Sequence, residues 1–315
     1  MADSFKRREF MTGDDEVVNT LTRAAEFMAT HARLLDRRRF ELLFGDGSTV
    51  AALAALAAYR QPDGGYGIGL EPDLRSDSSQ PLSALHAFEV FEEIGRDTSP
   101  EAVKLCDWLG SVTLVDGGLP FALPIPDPAG CAPFFVDVDP TESSLHMTAM
   151  LAGIAHRVGR HDTGVRDHPW LVTATDYAMR HIRAMRAPGH ALEFRYCLQM
   201  LDALVDTSAE ARVELRRLGE FLPSSGPIPV DGGIEGEAMH LLDFAPVPER
   251  PIRNLFPATA VRDELDRLMT GQQDDGGWTV DWQAHSPASA VEWRGWSTVR
   301  ALKILRDNHR LTRSD

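Results

Sequence analysis

The sequence predicts an all-α fold in which about six helical hairpins close into a double-layered α/α barrel. The tripeptide Asp-Gly-Gly occurs four times, with gaps of 53, 115 and 44 residues between copies that begin at Asp63, Asp116, Asp231 and Asp275. The long gap is about twice a short one, which indicates a repeated unit of roughly 50 residues. Apolar residues also follow helical spacing almost throughout. We assign residues 1–315 to one domain, of which residues 1–12 are expected to be flexible.

The predicted helices are of two kinds, which indicates two layers. Residues 50–59, 79–95 and 141–157 are apolar on nearly all sides, so they must be covered all around and suit an inner ring. Residues 208–222 and 258–269 have one apolar stripe opposite a charged face and suit an outer ring. Helical spacing continues in three further segments, residues 170–185, 192–204 and 288–305. Hairpins that alternate inner and outer helices close into a double ring, and an open superhelix is the competing arrangement.

The Asp-Gly-Gly segments predict tight loops between the repeats. Glycine tolerates positive φ, and an aspartate side chain accepts hydrogen bonds from nearby backbone amides. An aromatic residue closely follows three of the copies, namely Tyr66, Phe121 and Trp278. We expect these aromatic residues to plug the junctions between neighbouring hairpins. Tyr66 and Trp278 are also candidates for reaching a central cavity and binding substrate there.

Composition and charge bear on the compartment and on the partners. With a net charge of −15, the surface would repel nucleic acid and anionic membranes at long range, although a local basic pocket would still hold an anionic substrate. No apolar run reaches the length of about 18 residues that a membrane span needs, and the charged segment Met1–Phe10 is no signal peptide. Three cysteines, Cys106, Cys131 and Cys197, fit neither a disulfide framework nor a CxxC site, which favours a reducing cytoplasm.

The last copy of the repeat carries a resemblance to a known family. The pattern Gln272-x-x-Asp275-Gly276-Gly277-Trp278 resembles the repeat motif of squalene–hopene cyclases and related class II terpene cyclases. Those proteins and the β-subunits of protein prenyltransferases are α/α barrels. The chain also looks like a bacterial single-barrel group of that superfamily around Leu70-Glu71-Pro72-Asp73-Leu74 and Glu292-Trp293-Arg294-Gly295. The resemblance implies a terpenoid cyclase-like enzyme that cyclises an isoprenoid substrate in an aromatic-lined cavity.

A second segment, Asp137-Val138-Asp139-Pro140, looks like the Asp-x-Asp-Asp motif of class II cyclases, whose middle aspartate protonates an alkene or epoxide. The resemblance implies that Asp139 is the general acid and that Asp137 assists, whereas Pro140 stands where the family has its last aspartate. The residues themselves leave a second reading, in which Asp139 or Thr141 caps the following helix. A carboxylate that caps a helix has a lowered pKa, whereas a general acid needs a raised pKa. If Asp139 is the general acid, Asp139→Asn should abolish activity and leave the melting temperature nearly unchanged.

Several other residues are candidates for the site. Glu142 and His146 lie one turn apart on the predicted helix 141–157, so Glu142 is a catalytic candidate and His146 would orient an acid near the substrate. Two loop clusters are expected at the mouth of the ring, and their substrate-binding candidates are Glu71, Asp73, Trp278, Trp282, Glu292, Trp293 and Arg294. Tryptophan faces attract cations or stack on sugars, but they also simply fill space. An ion pair of Glu292 with Arg294 is the structural alternative.

Two other functions stay open at this stage. The barrel would be carbohydrate-active if Glu71, Asp73, Asp139 and Glu292 act as paired carboxylates, and it would be a binding protein if it has no catalytic group. We expect a small-molecule substrate and no metal or other cofactor, with Mg²⁺ entering only if the substrate is a diphosphate. The cavity lining decides: an apolar, aromatic pocket with one acid at its end favours the cyclase.

Overall fold

The computed structural model describes residues 13–223 and 226–311, in which the helices alternate between an outer and an inner layer; the segment 1–12 expected to be flexible lies outside this part. The outer helices are α1 (Gly13–Thr30), α3 (Thr49–Leu56), α5 (Pro100–Val112), α9 (Pro169–Ala184), α11 (Ala209–Gly219) and α13 (Ala258–Thr270). The inner helices are α2 (Leu34–Phe44), α4 (Pro81–Glu93), α7 (Leu145–Val158), α10 (Ala191–Leu204), α12 (Leu241–Phe244) and α14 (Pro287–Asp307).

Short elements fill the connections between these helices. They comprise two helices, α6 (Pro133–Val136) and α8 (Thr163–Arg166), and three 3₁₀ turns, Ala57–Tyr59, Gly95–Asp97 and Pro251–Leu255. Strand β1 (Leu119–Pro120) pairs antiparallel with β2 (Ser143–Ser144), and β3 (Ile228–Pro229) pairs with β4 (Ala238–Met239). Within the described residues, no helix combines the length and the apolar character needed to cross a membrane.

The inner helices close into a ring. Helix α2 packs against α4, α4 against α7, α7 against α10, α10 against α12, and α14 returns to pack against α2. The remaining junction is polar, because Arg300 of α14 donates a hydrogen bond of 2.6 Å to the carboxylate of Asp243 in α12. Each outer helix packs on an inner one. The contacts therefore confirm the predicted all-α, double-layered α/α barrel, whereas the assignment of residues 1–315 to one domain stays a prediction.

Helix α7 shows why an inner helix is apolar on every side. An unbroken run of its residues, from Met147 to Ala155, is buried. A Cβ added at Gly153 would lie only 3.2 Å from the Cα atom of Met200, so this glycine lets α7 and α10 approach closely. Ser144 is the N-cap of α7, since its Oγ accepts from the amide of Met147 at 3.2 Å. The expectation that Thr141 or Asp139 caps this helix was therefore wrong.

Helix α3 corrects the layer predicted for residues 50–59. It lies in the outer layer, and the Val50 side chain is 76% exposed. Its sequence is mostly alanine and leucine, and periodicity cannot show which side of such a helix faces water. The other helices expected in the inner layer, α4 and α7, do lie there, and α11 and α13 lie in the outer layer as predicted.

The Asp-Gly-Gly loops connect an outer helix to the next inner helix. In three of them, those of Asp63, Asp116 and Asp275, the aspartate side chain accepts a hydrogen bond from the amide two residues later and so holds the loop. Asp63 is the clearest case. Its Oδ1 accepts from the amide of Gly65 at 3.0 Å and from the Ser79 hydroxyl at 2.7 Å, and its Oδ2 accepts from the Trp108 indole at 3.1 Å. Asp116 likewise accepts from the amide two residues later and from Ser143. The predicted structural role of the motif is thereby confirmed.

The glycines of these loops press against the following outer helix. Gly65 packs on Trp108 of α5, and Gly118 packs on Tyr177 of α9. In the last copy, a Cβ at Gly277 would lie 2.8 Å from the Phe27 ring of α1. The last repeat thus packs onto the first helix, which closes the outer layer.

Candidate functional site

A cavity of about 220 Å³ lies inside the ring. Its inner part combines apolar and aromatic residues, Leu85, Ala149, Met150, Gly153, Ile154, Tyr196, Phe244 and Trp296, with the charged residues Arg39, Glu89, Glu93, Arg195, Asp243 and Arg300. Its outer part is charged and is lined toward the carboxyl ends of the inner helices by Glu92, Arg157, Arg160, Asp202, Arg250, Lys303 and Asp307. Arg160 is exposed to solvent, so the cavity reaches the surface at this end. The volume lies below the range of about 300–1,000 Å³ that is typical of ligand pockets, so the cavity suits a small ligand.

Glu89 is the carboxylate at the inner, aromatic end of the cavity. It accepts a hydrogen bond of 2.9 Å from the Trp296 indole and lies 3.1 Å from Nδ1 of His86 and 3.3 Å from the Arg39 guanidinium. Burial would raise its pKa, but the charges of His86 and Arg39 and these hydrogen bonds lower the pKa to about 2. Glu89 is therefore an anion at neutral pH, held by two cations beside an indole.

His86 lies between two carboxylates on the closed side of the cavity. Its Nε2 is 2.8 Å from Glu71, and its Nδ1 faces Glu89. Burial would lower its pKa, but the charge of Glu89 and the hydrogen bonds with both carboxylates raise the pKa to about 9. The histidine is therefore an imidazolium at neutral pH, and both of its ring nitrogens donate. This arrangement fixes Glu71 and Glu89 relative to each other.

The raised pKa of His86 makes fold stability depend on pH. Because the folded state holds the proton more tightly, this contribution is complete below pH 6.5, the ordinary pKa, and is lost as the pH rises through about 9. We expect the free energy of unfolding to fall by roughly 2–3 kcal/mol across that window. His86→Gln should be less stable at pH 6.5 and should lack this slope. Urea unfolding at several pH values measures both, and an unchanged slope in the variant would contradict the assignment.

Arg39 completes a buried charge network behind Glu89. Its guanidinium donates two hydrogen bonds of 2.8 Å to the carboxylate of Glu93 and lies 3.5 Å from Asp36. Asp36 is fully buried, and Arg39 is 3% exposed. Asp36 also accepts a 2.6 Å bond from Arg33, which in turn donates to the carbonyl of Leu70. The network therefore ties α2, α4 and the loop that follows residue 69 together.

The predicted tryptophan cluster is brought together in part. Trp282, Trp293 and Trp296 make mutual ring contacts, with centroids 5.0 to 6.3 Å apart. Only Trp296 lines the cavity, whereas the Trp293 indole donates a 2.7 Å hydrogen bond to Asp73. Asp73 also accepts from the amide of His285 at 2.8 Å. Trp293 and Asp73 therefore lock the last inner helix to the loop that carries Glu71.

Other predicted substrate-binding residues lie away from the cavity lining. Tyr66 and Trp278 are buried in the core, at 1% and 3% exposure, and the Trp278 indole donates to the carbonyl of Leu268. Glu292 pairs with Arg75 at 2.6 Å, and Arg294 pairs with Asp275 rather than with Glu292. Tyr66 and Trp278 thus fill the junctions between hairpins, which is the structural alternative given for them. The alternative of an ion pair between Glu292 and Arg294 was wrong, because each has a different partner.

The three residues predicted to be catalytic are exposed. Asp137, Asp139 and Glu142 lie in the segment before α7 and are not part of the cavity lining. The hydroxyl of Thr141 donates to Asp139 at 2.6 Å and its amide donates at 2.8 Å, which lowers the pKa of this carboxyl. Glu142 precedes α7, so the expected helical face shared with His146 does not exist. The acid role of Asp139 stays a prediction, and this environment does not favour it.

His146 lies behind one wall of the cavity. Its ring stacks on Tyr196, with centroids 5.2 Å apart, and meets Phe121 edge-on at 5.7 Å. Burial, with the charges of His190 and Arg195, lowers its pKa to about 3, so the ring is neutral at physiological pH. It positions Tyr196, which does line the cavity.

The mouth of the ring lies at a different end from the one predicted. The loops around 71–77 and 278–296 were expected to open there, but Glu71 and Asp73 are only 2% and 4% exposed. The segment around them plugs that end, and the cavity extends toward the carboxyl ends of the inner helices instead. The polar groups of this segment form hydrogen bonds with one another, as Trp293 does with Asp73, so they close this end of the ring and do not face a ligand.

Sequence reasoning missed Arg39, His86 and Glu89. A signal for two of them exists, because His86 and Glu89 interrupt a helix that is otherwise apolar on every side and lie three residues apart. Charged residues on an inner helix have to be paired, so they mark an internal site. Among the described residues, no three His, Cys, Asp or Glu side chains are grouped in a way that could hold a metal ion.

No protein-family model and no curated protein matches the chain. It is similar to a solved glycosidase variant with a TM-score of 0.45 and 12% identity, covering 93% of this chain and 99% of that one. It is also similar to a ligand-free variant of the type II terpene cyclase MstE from Scytonema, with a TM-score of 0.40, 10% identity and 93% and 98% coverage. Another MstE variant, in complex with geranylgeranyl dihydroxybenzoate, has a TM-score of 0.35, 11% identity and 95% and 99% coverage. No residue role is transferred from these likenesses.

Proposed function

We propose that this protein is a terpenoid cyclase-like enzyme that acts on a short isoprenoid substrate inside the ring. The observation that supports the proposal is the inner part of the cavity, where apolar and aromatic side chains such as Ile154, Phe244 and Trp296 lie beside the ionised carboxylate of Glu89. An isoprenoid chain loses unfavourable contact with water when it enters such a space. The modest volume of about 220 Å³ favours a short chain or the end of a longer one.

Glu89 and Trp296 suit the stabilisation of a carbocation. Protonation of a substrate double bond places a positive charge on carbon, and an anionic carboxylate with an indole face lowers the energy of that charge in a water-poor cavity. Glu89 would also accept the proton that the final cation loses, which restores a neutral product. With a pKa of about 2, Glu89 does not serve as the initial proton donor.

The initial proton donor is a separate element of this proposal. Asp139 is the donor implied by the sequence resemblance, but it is exposed and outside the lining. The carboxylates Glu92 and Asp243 line the cavity, and nearby arginines lower the pKa of each, to about 2 for Glu92. The two mutations Glu89→Gln and Asp139→Asn therefore test separate statements, one about cation stabilisation and one about protonation.

The function is tested first by a substrate screen. Geranyl, farnesyl and geranylgeranyl diphosphates are incubated with the protein beside an oligosaccharide panel, and products are separated by chromatography with mass detection. We expect a cyclic product from at least one isoprenoid and no sugar cleavage. Glu89→Gln should then lower turnover by about 10²–10³-fold, the usual cost of losing one preorganised electrostatic group. Sugar cleavage without isoprenoid turnover would overturn the proposal.

Asp139→Asn and Glu210→Gln serve as matched comparisons in that assay. Glu210 lies on the outer helix α11, where its side chain is 49% exposed. We expect both variants to keep wild-type turnover, because neither carboxylate lines the cavity. A loss of turnover in Asp139→Asn with an unchanged melting temperature would instead assign the proton donor to Asp139.

The carbohydrate-active alternative has less support from the geometry. Of its four candidate carboxylates, Glu71 and Asp73 are buried in the plug, Glu292 is paired with Arg75, and Asp139 is exposed elsewhere. None of the four lines the cavity. A binding protein with no catalysis would bind an isoprenoid in the screen without changing it, so the product analysis separates that alternative too.

A further inference from the structure

The outer part of the cavity gathers positive charge in a protein that is strongly acidic as a whole. The chain carries a net charge of −15. The lining of this part nevertheless contains four cations, Arg157, Arg160, Arg250 and Lys303, from three segments of the chain. A concentration of cations at the mouth of a cavity attracts an anionic ligand and orients it.

Two of these cations are matched by carboxylates. Arg157 donates to Glu92 at 2.9 Å, and Arg250 donates to Asp202 at 2.9 Å. Arg250 also holds Asp206 at 2.7 Å. The acidic groups nearest to this rim therefore have their partners, and their charge is largely compensated.

The other two cations of the rim are Arg160 and Lys303. Within residues 13–223 and 226–311, neither forms an ion pair with a carboxylate. Asp307, which also lines the rim, pairs with Arg306 at 3.0 Å. Two cations without a carboxylate partner in one cavity mouth leave the site with capacity for an anion.

The electrostatics agree with that geometry. Partial desolvation and the charges of Arg250 and Arg157 lower the pKa of Arg160, although the charges of Asp206 and Glu92 oppose this shift. Lys303 lies close enough to Glu92 to lower the pKa of that carboxyl together with Arg157. Arg160 therefore lies close to two other arginines, and an oxyanion bound there would relieve the repulsion among them.

We propose that Arg160 and Lys303 form a subsite for a phosphate-type oxyanion at the mouth of the cavity, with Arg157 beside them. Guanidinium groups bind phosphate oxygens through paired hydrogen bonds, and an ammonium group adds a compact charge. The subsite deepens the proposed function and rests on it for the rest of the ligand, because it places an anionic head group at the rim and the isoprenoid chain inside. The expected substrate class is an isoprenoid phosphate or diphosphate.

The experiment uses inorganic phosphate and diphosphate as probes of the full chain, by titration calorimetry at low ionic strength. We expect diphosphate to bind, and the double variant Arg160→Gln, Lys303→Gln to bind it at least about 10-fold more weakly, since each lost charged hydrogen bond weakens affinity. The control is Arg96→Gln, Arg262→Gln, which removes the same charge from exposed positions away from the cavity. Acetate, tested in parallel, shows whether a carboxylate suffices.

The outcomes decide the subsite separately from the proposed function. No diphosphate binding by the wild type, an equal loss in the control, or acetate binding as tight as diphosphate would overturn the oxyanion subsite. Geraniol and geranyl diphosphate are then compared, and the double variant should remove the tighter binding of the diphosphate but keep that of geraniol. If geraniol binds and the diphosphate group adds no affinity, the subsite proposal is wrong but the proposed function stands. If inorganic diphosphate binds but no isoprenoid does, the subsite stands and the proposed function is wrong. Circular dichroism and an unchanged melting temperature establish that the variants are folded.

Discussion

Arg39→Met is expected to destabilise the fold by about 3–5 kcal/mol, the range measured when one partner of a buried ion pair is removed. Arg39 is 3% exposed and compensates Glu93, whose side chain is 2% exposed, together with the fully buried Asp36. Methionine fills a similar volume but leaves Glu93 without its cation and Asp36 with Arg33 alone. Urea unfolding followed by circular dichroism measures the loss at pH 7.

A neighbouring arginine provides the control for this measurement. Arg37 lies on the same helix with its side chain 45% exposed, and it pairs with Glu41 at 3.0 Å. Arg37→Met should change the free energy of unfolding by no more than about 1 kcal/mol, because exposed ion pairs contribute little. Equal effects of the two substitutions would contradict a buried network. A preserved stability in Arg39→Met would show that Glu93 and Asp36 find other partners.

Gly276→Ala is expected to destabilise the fold by roughly 2–5 kcal/mol, for two reasons that add. Gly276 has a φ of 93°, where a residue with a Cβ costs about 1–2 kcal/mol. Its Cβ would also overlap the carbonyl oxygen of Arg23 in α1, which is backbone and can move only if the helix moves. Such overpacking costs typically about 1–3 kcal/mol more. Urea unfolding of the variant tests this expectation.

The repeat supplies a matched control at the same position of another copy. Gly232 has a φ of 78°, and no atom lies within 4 Å of the place where its Cβ would stand. Gly232→Ala should therefore cost only the backbone term, about 1–2 kcal/mol. If both variants lose the same stability, the contact with α1 contributes nothing and the closure of the outer layer does not depend on it.

Local signals in the sequence predicted most of the fold. The Asp-Gly-Gly loops and the two kinds of helix depend on short-range spacing, because a turn needs glycine within two or three residues and a buried helix needs apolar residues on every side. The layer of the alanine-rich helix α3 could not be predicted in this way. Small apolar residues are tolerated at the surface, so a segment such as 50–59 fits either layer.

The candidate site depends on contacts that no local signal contains. Arg39 meets Glu93 across 54 residues, and Arg160 lines the same cavity as Lys303. Spacing along the chain also cannot show that the loops around residues 71–77 and 278–296 close one end of the ring and leave the other end open. For Asp139 the motif suggested a role, but the exposed setting of that carboxylate is a property of the folded loop. The sequence predicted that the tryptophans cluster, but it could not show that Trp296 lines the cavity while Trp293 binds Asp73 in the closed end of the ring.

The packing of the last glycine loop on α1 has a consequence for how the molecule is made. Gln272 donates to the carbonyl of Thr20 at 3.0 Å, and Arg23 donates to the carbonyl of Gln273 at 2.6 Å, across 252 and 250 residues respectively. Such distant pairings form only after the segment around Gln272 and Gln273 has left the ribosome. During synthesis, helix α1 therefore keeps exposed the face that this loop later covers. Until the loop packs on it, that face is accessible to chaperones and proteases.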